Sequence, residues 1–131
     1  KGDELDLPDE ELSTNTFKNK SSIRVLADSS AYTFINIVRG STSFGTILDS
    51  LGYACVPSVN DLGPAGSRYF SGGYITVRHG SRDGGIISAV QVELPQPGIR
   101  DTEENWSSYA SAFATAVGSY YFHHLGRSIQ P

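Results

Sequence analysis

The segment 86–94 constrains the fold more than any other, because Ile86, Ile87, Ala89, Val90, Val92 and Leu94 make it a near-continuous apolar run. A strand of that kind is soluble only when both of its faces are covered, which is the condition of a central strand between helical layers. The expected fold class is therefore α/β, with a mixed, partly parallel sheet and flanking helices. Gln91 and Glu93 interrupt the run on one face, where polar groups are costly to bury. At 131 residues the chain has enough material for one such core and too little for two. Its 18% charged and 38% hydrophobic residues are those of a globular protein and exclude a disordered or fibrous one. No apolar stretch approaches the roughly 18 residues that would span a bilayer.

The net charge of −4 is concentrated at one end. Asp3, Glu4, Asp6, Asp9, Glu10 and Glu11 stand against Lys1 in the first twelve residues, which leaves the remainder close to neutral. Residues 1–20 also lack apolar periodicity, so an acidic tail or arm is expected there, followed by a single α/β domain or half-domain over 21–131. The neutral remainder gives no electrostatic reason to expect a nucleic acid, and neither nucleic acid nor membrane is among the expected partners. The lone Cys55 excludes an internal disulfide and a cysteine-based zinc site, and leaves open a bridge to another chain. Methionine is absent and Lys1 stands first, as expected of a processed or truncated product.

Short β-branched and aromatic runs at 23–26, 33–38, 53–56 and 74–78 predict further strands. Ser41, Thr42 and Ser43 are N-cap candidates for a helix whose apolar residues Phe44, Ile47, Leu48 and Leu51 recur at helical spacing, with Gly52 closing it. Asp101 and Glu104 have capping-box spacing before a long amphipathic helix over 104–125. Its inward stripe is Trp106, Tyr109, Phe113, Val117, Tyr120 and His124, and Gly126 ends it.

Three loops leave predicted strands with residues suited to chemistry. Arg39, followed by small residues at a helix start, suits a carboxylate or phosphate, or else a surface acid. Segment 78–82 brings Arg78, His79 and Arg82 together, with His79 a metal ligand, a general base or an ordinary surface histidine. Glu93 ends the apolar strand, where a carboxylate must be ionised against a cation or kept protonated as an acid; a structural pairing with Arg100 or Arg78 is the alternative. His123 and His124 lie in the last helical turn, where a cation complements the dipole. The sequons at Asn19 and Asn105 permit N-glycosylation, and with Lys1 and Cys55 they point to a secreted or extracellular product.

Two families share motifs with the middle of the chain. Arg78-His79-Gly80 resembles the signature of the histidine phosphatases, in which the histidine carries the phosphoryl group. A longer stretch resembles the N-formylglutamate amidohydrolases, relatives in fold of the zinc carboxypeptidases. It runs through Arg39-Gly40-Ser41-Thr42-Ser43-Phe44-Gly45, Gly52-Tyr53, Val56-Pro57-Ser58, 69–76 with its Gly72-Gly73-Tyr74-Ile75-Thr76 block, and Ala89-Val90-Gln91-Val92-Glu93-Leu94. This resemblance implies a zinc-dependent amide hydrolase with Glu93 as general base and acid. Arg39, Arg78 or Arg100 would hold a substrate carboxylate, and His79 would assist at the metal. The family's first metal ligands lie in an amino-terminal half with no counterpart here, so the expected partner is a second chain from the same precursor. The expected substrate is a small carboxylate or amide. The alternative is a secreted, non-catalytic binding or matrix protein that retains the fold.

Overall fold

The computed structural model describes residues 2–70 and 72–129. Among them the regular structure is helical. A 3-10 turn at Gly2–Asp6 leads into the short helices α1 (Asp9–Leu12), α2 (Asn15–Lys20), α3 (Arg24–Ser29), α4 (Phe34–Arg39), α5 (Phe44–Ser50) and α6 (Tyr74–His79). A short 3-10 turn at Arg82–Gly84 follows, and the chain then runs to a turn at Gln96–Arg100 and the 23-residue helix α7 (Glu103–Leu125).

Local chemistry sets the best-defined boundaries. Thr33, Ser43 and Thr102 each turn a side-chain oxygen onto the backbone N–H three residues ahead, capping α4, α5 and α7. The cap of α7 is thus Thr102 and not Asp101, whose carboxylate instead accepts from the Asn105 side chain and the Gly98 amide. At the far end Gly126 takes a left-handed conformation (φ 62°) and returns its N–H to the Phe122 carbonyl, as a glycine C-cap does.

Two apolar clusters hold these helices together. Leu12, Ile23, Leu26, Phe34 and Ile37 form the first, with Leu5 and Phe17 packed against it. The segment expected to be a free arm therefore supplies part of a core. Leu48, Tyr109 and Ala116 form the second, where α5 lies on α7. Edge-to-face contacts of Phe44 with Phe113 (5.3 Å) and with Tyr120 (5.8 Å) join the two helices. On the expected inward stripe of α7, Tyr109 and His124 are buried, whereas Trp106 is exposed.

The expectation of an α/β fold is overturned. No sheet forms among the described residues, and the sole β-type pairing there is an isolated parallel bridge between Gly80 and Ile87. Segments 23–26, 33–38 and 74–78 lie largely in α3, α4 and α6, and 53–56 is irregular. The physical reason is that an apolar run of four to six residues has no readable period and suits a buried helix as well as a strand. In α4 the buried Phe34 and Ile37 stand three apart, which is the helical choice.

Segment 86–94 has no helix or strand and is largely uncovered, with Ala89 and Leu94 half-buried. Ile86 is 83% exposed, and Ile87, Val90 and Val92 are exposed beside it. Its tethers run to the loop before α3 and to α3 itself: the Ala89 N–H donates to the Ser22 carbonyl (3.0 Å), Ser22 Oγ donates to the Ala89 carbonyl (2.7 Å), and the Leu26 N–H donates to Ser88 Oγ (3.0 Å).

Candidate functional site

The two most distinctive sequence blocks meet. Gly73, which opens α6, donates its N–H to Gln91 Oε1 at 2.5 Å, and Gln91 Nε2 donates to Glu93 Oε1 at 2.5 Å. Gln91 and Glu93 stand two residues apart in a stretch without regular structure, where their side chains meet. Glu93 is exposed, so the cost expected of a buried carboxylate does not arise. Its hydrogen-bond partner is Gln91 and not Arg100 or Arg78; the Arg100 Nε instead points at the Pro95 carbonyl at 3.4 Å.

Glu93 stands at the edge of a cleft of about 250 Å³ walled by Tyr53, Cys55, Leu94, Ile99 and Tyr109. Tyr53 and Tyr109 meet edge to face at 5.1 Å and give the cleft an aromatic floor. Burial, with the Asp49 charge as a lesser cause, pushes the Cys55 thiol above its ordinary range, which makes it a poor nucleophile at neutral pH. Burial likewise raises the Tyr109 hydroxyl. Beyond Glu93 the sequence carries no signal for this cleft, because its walls come from the separate segments 53–55, 92–99 and α7.

A second, more open depression of about 480 Å³ lies between α6 and the turn after it, lined by Tyr74, Val77, Arg78, Arg82 and Asp83 with glycines. Arg78 and His79 occupy the last turn of α6 and are both exposed. Arg82 faces Asp83 as an ion pair at 3.4 Å, and its Nε is buried without a hydrogen bond.

No known family, curated protein or solved structure matches this chain.

Arg39 takes no part in either cleft. It is 3% exposed, and its guanidinium is fully engaged: Nε and Nη2 donate to Asp9 Oδ1, Nη1 to the carbonyls of Leu5 and Leu62, and Nη2 to that of Leu7. The cation therefore pins residues 5–9 to α4 and is not available to a substrate. Of the two sequons, Asn19 is exposed on α2, whereas the Asn105 amide is committed to Asp101 at 2.7 Å.

A catalytic zinc takes three protein ligands. Among the described residues no group of three or more His, Cys, Asp or Glu side chains converges, so this part of the chain does not by itself fit such a metal. What the site presents alone is narrower: an exposed carboxylate at Glu93 beside an aromatic cleft, with Arg78 in the other depression and Arg100 turned to the Pro95 carbonyl. None of the described helices is long and apolar enough to cross a membrane.

Proposed function

We propose that this chain is one component of an amide hydrolase of the N-formylglutamate amidohydrolase type and supplies Glu93 as its proton shuttle. The observation that carries this is the Gly73–Gln91–Glu93 relay, which orients an otherwise free carboxylate at the mouth of a cleft. A general base needs this combination of a fixed direction and open access to the reacting proton. Arg78 and Arg100, both exposed, are the cations left to meet a substrate carboxylate once Arg39 is committed to Asp9. The zinc that the resemblance implies would need ligands from elsewhere.

The second component is a polypeptide from the same precursor that covers 86–94 and the outer face of α6. Tyr74 is 76% exposed there and Ile75 lies uncovered beside it, and Ile86 and Val90 are exposed on 86–94. A monomer rarely leaves so many large apolar side chains together in water, and such patches mark contact surfaces. A competing reading, a non-catalytic binding or matrix protein, draws on the same exposed apolar side chains.

The two part company in the native assembly. Stoichiometric zinc, hydrolysis of N-acylated amino acids, and a kcat lowered about 100-fold or more by Glu93→Gln are expected. An assembly without metal and without activity overturns the hydrolase in favour of the binding protein. Intact mass under reducing and non-reducing conditions identifies the second chain and whether Cys55 links to it.

A further inference from the structure

His124 is the one histidine the fold buries, at 4% exposed, and it ties three distant parts of the chain together. Its Nε2 lies 2.9 Å from the Thr42 carbonyl in the turn between α4 and α5. Its Nδ1 lies 3.3 Å from Ser30 Oγ at the end of α3. A carbonyl can only accept, so Nε2 carries the ring proton and Nδ1 receives the serine hydroxyl. Ser30 Oγ in turn accepts from the Tyr32 N–H at 3.1 Å. Tyr120 (ring centroids 4.4 Å apart) and Tyr32 (5.0 Å) wall the imidazole.

We propose that His124 is a pH-sensitive latch: neutral, it holds the end of α7 to the 30–32 and 40–43 turns, and protonated, it releases them. The added proton has one place to go, Nδ1, which turns the acceptor for Ser30 into a second donor. The charge would then sit in an enclosure where, among the described residues, no carboxylate pairs with or hydrogen-bonds the ring. The groups facing the ring are Tyr120 and His123 on α7, Tyr32 on the turn after α3, and the uncharged Ser30 and Thr42. Tyr32 also touches His123 at 6.5 Å, so the neighbouring titratable group brings positive charge or none. Arg39, at the end of α4, commits its guanidinium to Asp9. The carboxyl end of α7 attracts a cation, but exposed His123 can meet that field without entering the enclosure.

Burial, first among the causes, lowers the His124 pKa; the bond to Thr42 raises it, and His123 lowers it further. The sign follows from which state holds the proton. Below the ordinary histidine value of about 6.5 the unfolded or undocked chain is protonated while the docked ring resists. Docking is therefore full above that pH and weakens as pH falls through it, by about ten-fold per pH unit until the docked ring itself titrates.

Amide hydrogen exchange on the full chain, corrected for its intrinsic pH dependence, tests this between about pH 7.5 and about pH 5. The Tyr32 and Ser43 amides, bonded to Ser30 Oγ and the Gly40 carbonyl, should open about ten-fold more per pH unit below about 6.5. The Leu12 amide in α1, bonded to the Pro8 carbonyl, should not respond. In His124→Gln, which keeps a donor for Thr42 and cannot titrate, the response should vanish. An equal response in the variant, or at Leu12, overturns the latch. Should the variant fail to fold, ring NMR of the wild type decides: titration below about 6.5 supports the latch, and titration at or above that value overturns it.

Discussion

Arg39 on α4 closes on Asp9 of α1 through two guanidinium nitrogens, with Nε at 2.8 Å and Nη2 at 2.5 Å from a single carboxylate oxygen. The two ends of the pair are unlike, since Arg39 is buried and Asp9 is 59% exposed. Asp9 is screened by water, and the carbonyls of Leu5, Leu7 and Leu62 take the remaining donors. Arg39→Met, which keeps the apolar stem and removes the donors, is expected to lower stability by about 2–4 kcal/mol. Asp9→Asn removes the exposed charge and is expected to cost about 1 kcal/mol or less. Urea denaturation of both variants checks this; equal losses would mean that the ion pair, and not the guanidinium's grip on backbone, holds the segment.

Gly45 and Gly118 give opposite expectations for the same substitution. A Cβ at Gly45 in α5 would come 2.0 Å from the Pro57 carbonyl oxygen, whereas at Gly118 in α7 it would meet nothing within 4 Å. Gly118→Ala should therefore stabilise by about 0.5–1 kcal/mol through helix propensity alone. Gly45→Ala should destabilise by about 1–3 kcal/mol, because backbone must move to admit the methyl. Thermal melts of the pair test the packing of 53–57 on α5, and a stabilised Gly45→Ala protein contradicts it.

Helices α5 and α7 were legible because each has apolar spacing and a terminal glycine beyond, with a hydroxyl cap read at Ser43 for α5, whereas the cap of α7 fell on Thr102 and not on the expected Asp101. The segments 23–26 and 33–38 were not, since runs so short carry no period that separates strand from helix. Segment 86–94 misled for a different reason: an apolar run reports that a surface must be covered and does not say by what. Of this run only Ala89 and Leu94 are half-buried, and the rest stays exposed. For Arg39 a surface acid was one of two readings open from sequence, but three backbone carbonyls cannot be read from any side chain. The Glu93 relay was half visible in the Gln-x-Glu spacing, whereas its link to Gly73 spans 18 residues and needed the fold.

Glu93 separates function from stability. Its side chain is exposed and its single hydrogen bond among the described residues is to Gln91, itself exposed. Glu93→Gln should leave the unfolding free energy within about 0.5 kcal/mol of the wild type, as surface substitutions do. Gln91→Ala should do the same to stability while loosening the carboxylate, so that activity of the assembly falls through kcat more than KM. Chemical denaturation of the two variants beside steady-state kinetics makes the comparison; a stability loss above about 1 kcal/mol would assign Glu93 a structural role.

Cys55 offers a pH readout of the aromatic cleft. The thiolate and not the thiol attacks an alkylating reagent, and desolvation followed by the Asp49 charge disfavours the thiolate here. The raised value means that the reactive form accumulates at a more alkaline pH than in an open peptide. Alkylation by iodoacetamide should therefore lag that of a model thiol at neutral pH and approach it as pH rises, with urea restoring the model rate. Asp49→Asn removes the lesser cause and should shift the profile slightly towards neutrality; removal of the Tyr109 ring by Tyr109→Ala opens the cleft and should shift it further. A profile that matches the model thiol in the folded protein, or one moved more by Asp49→Asn than by Tyr109→Ala, would show that burial does not govern this sulfur.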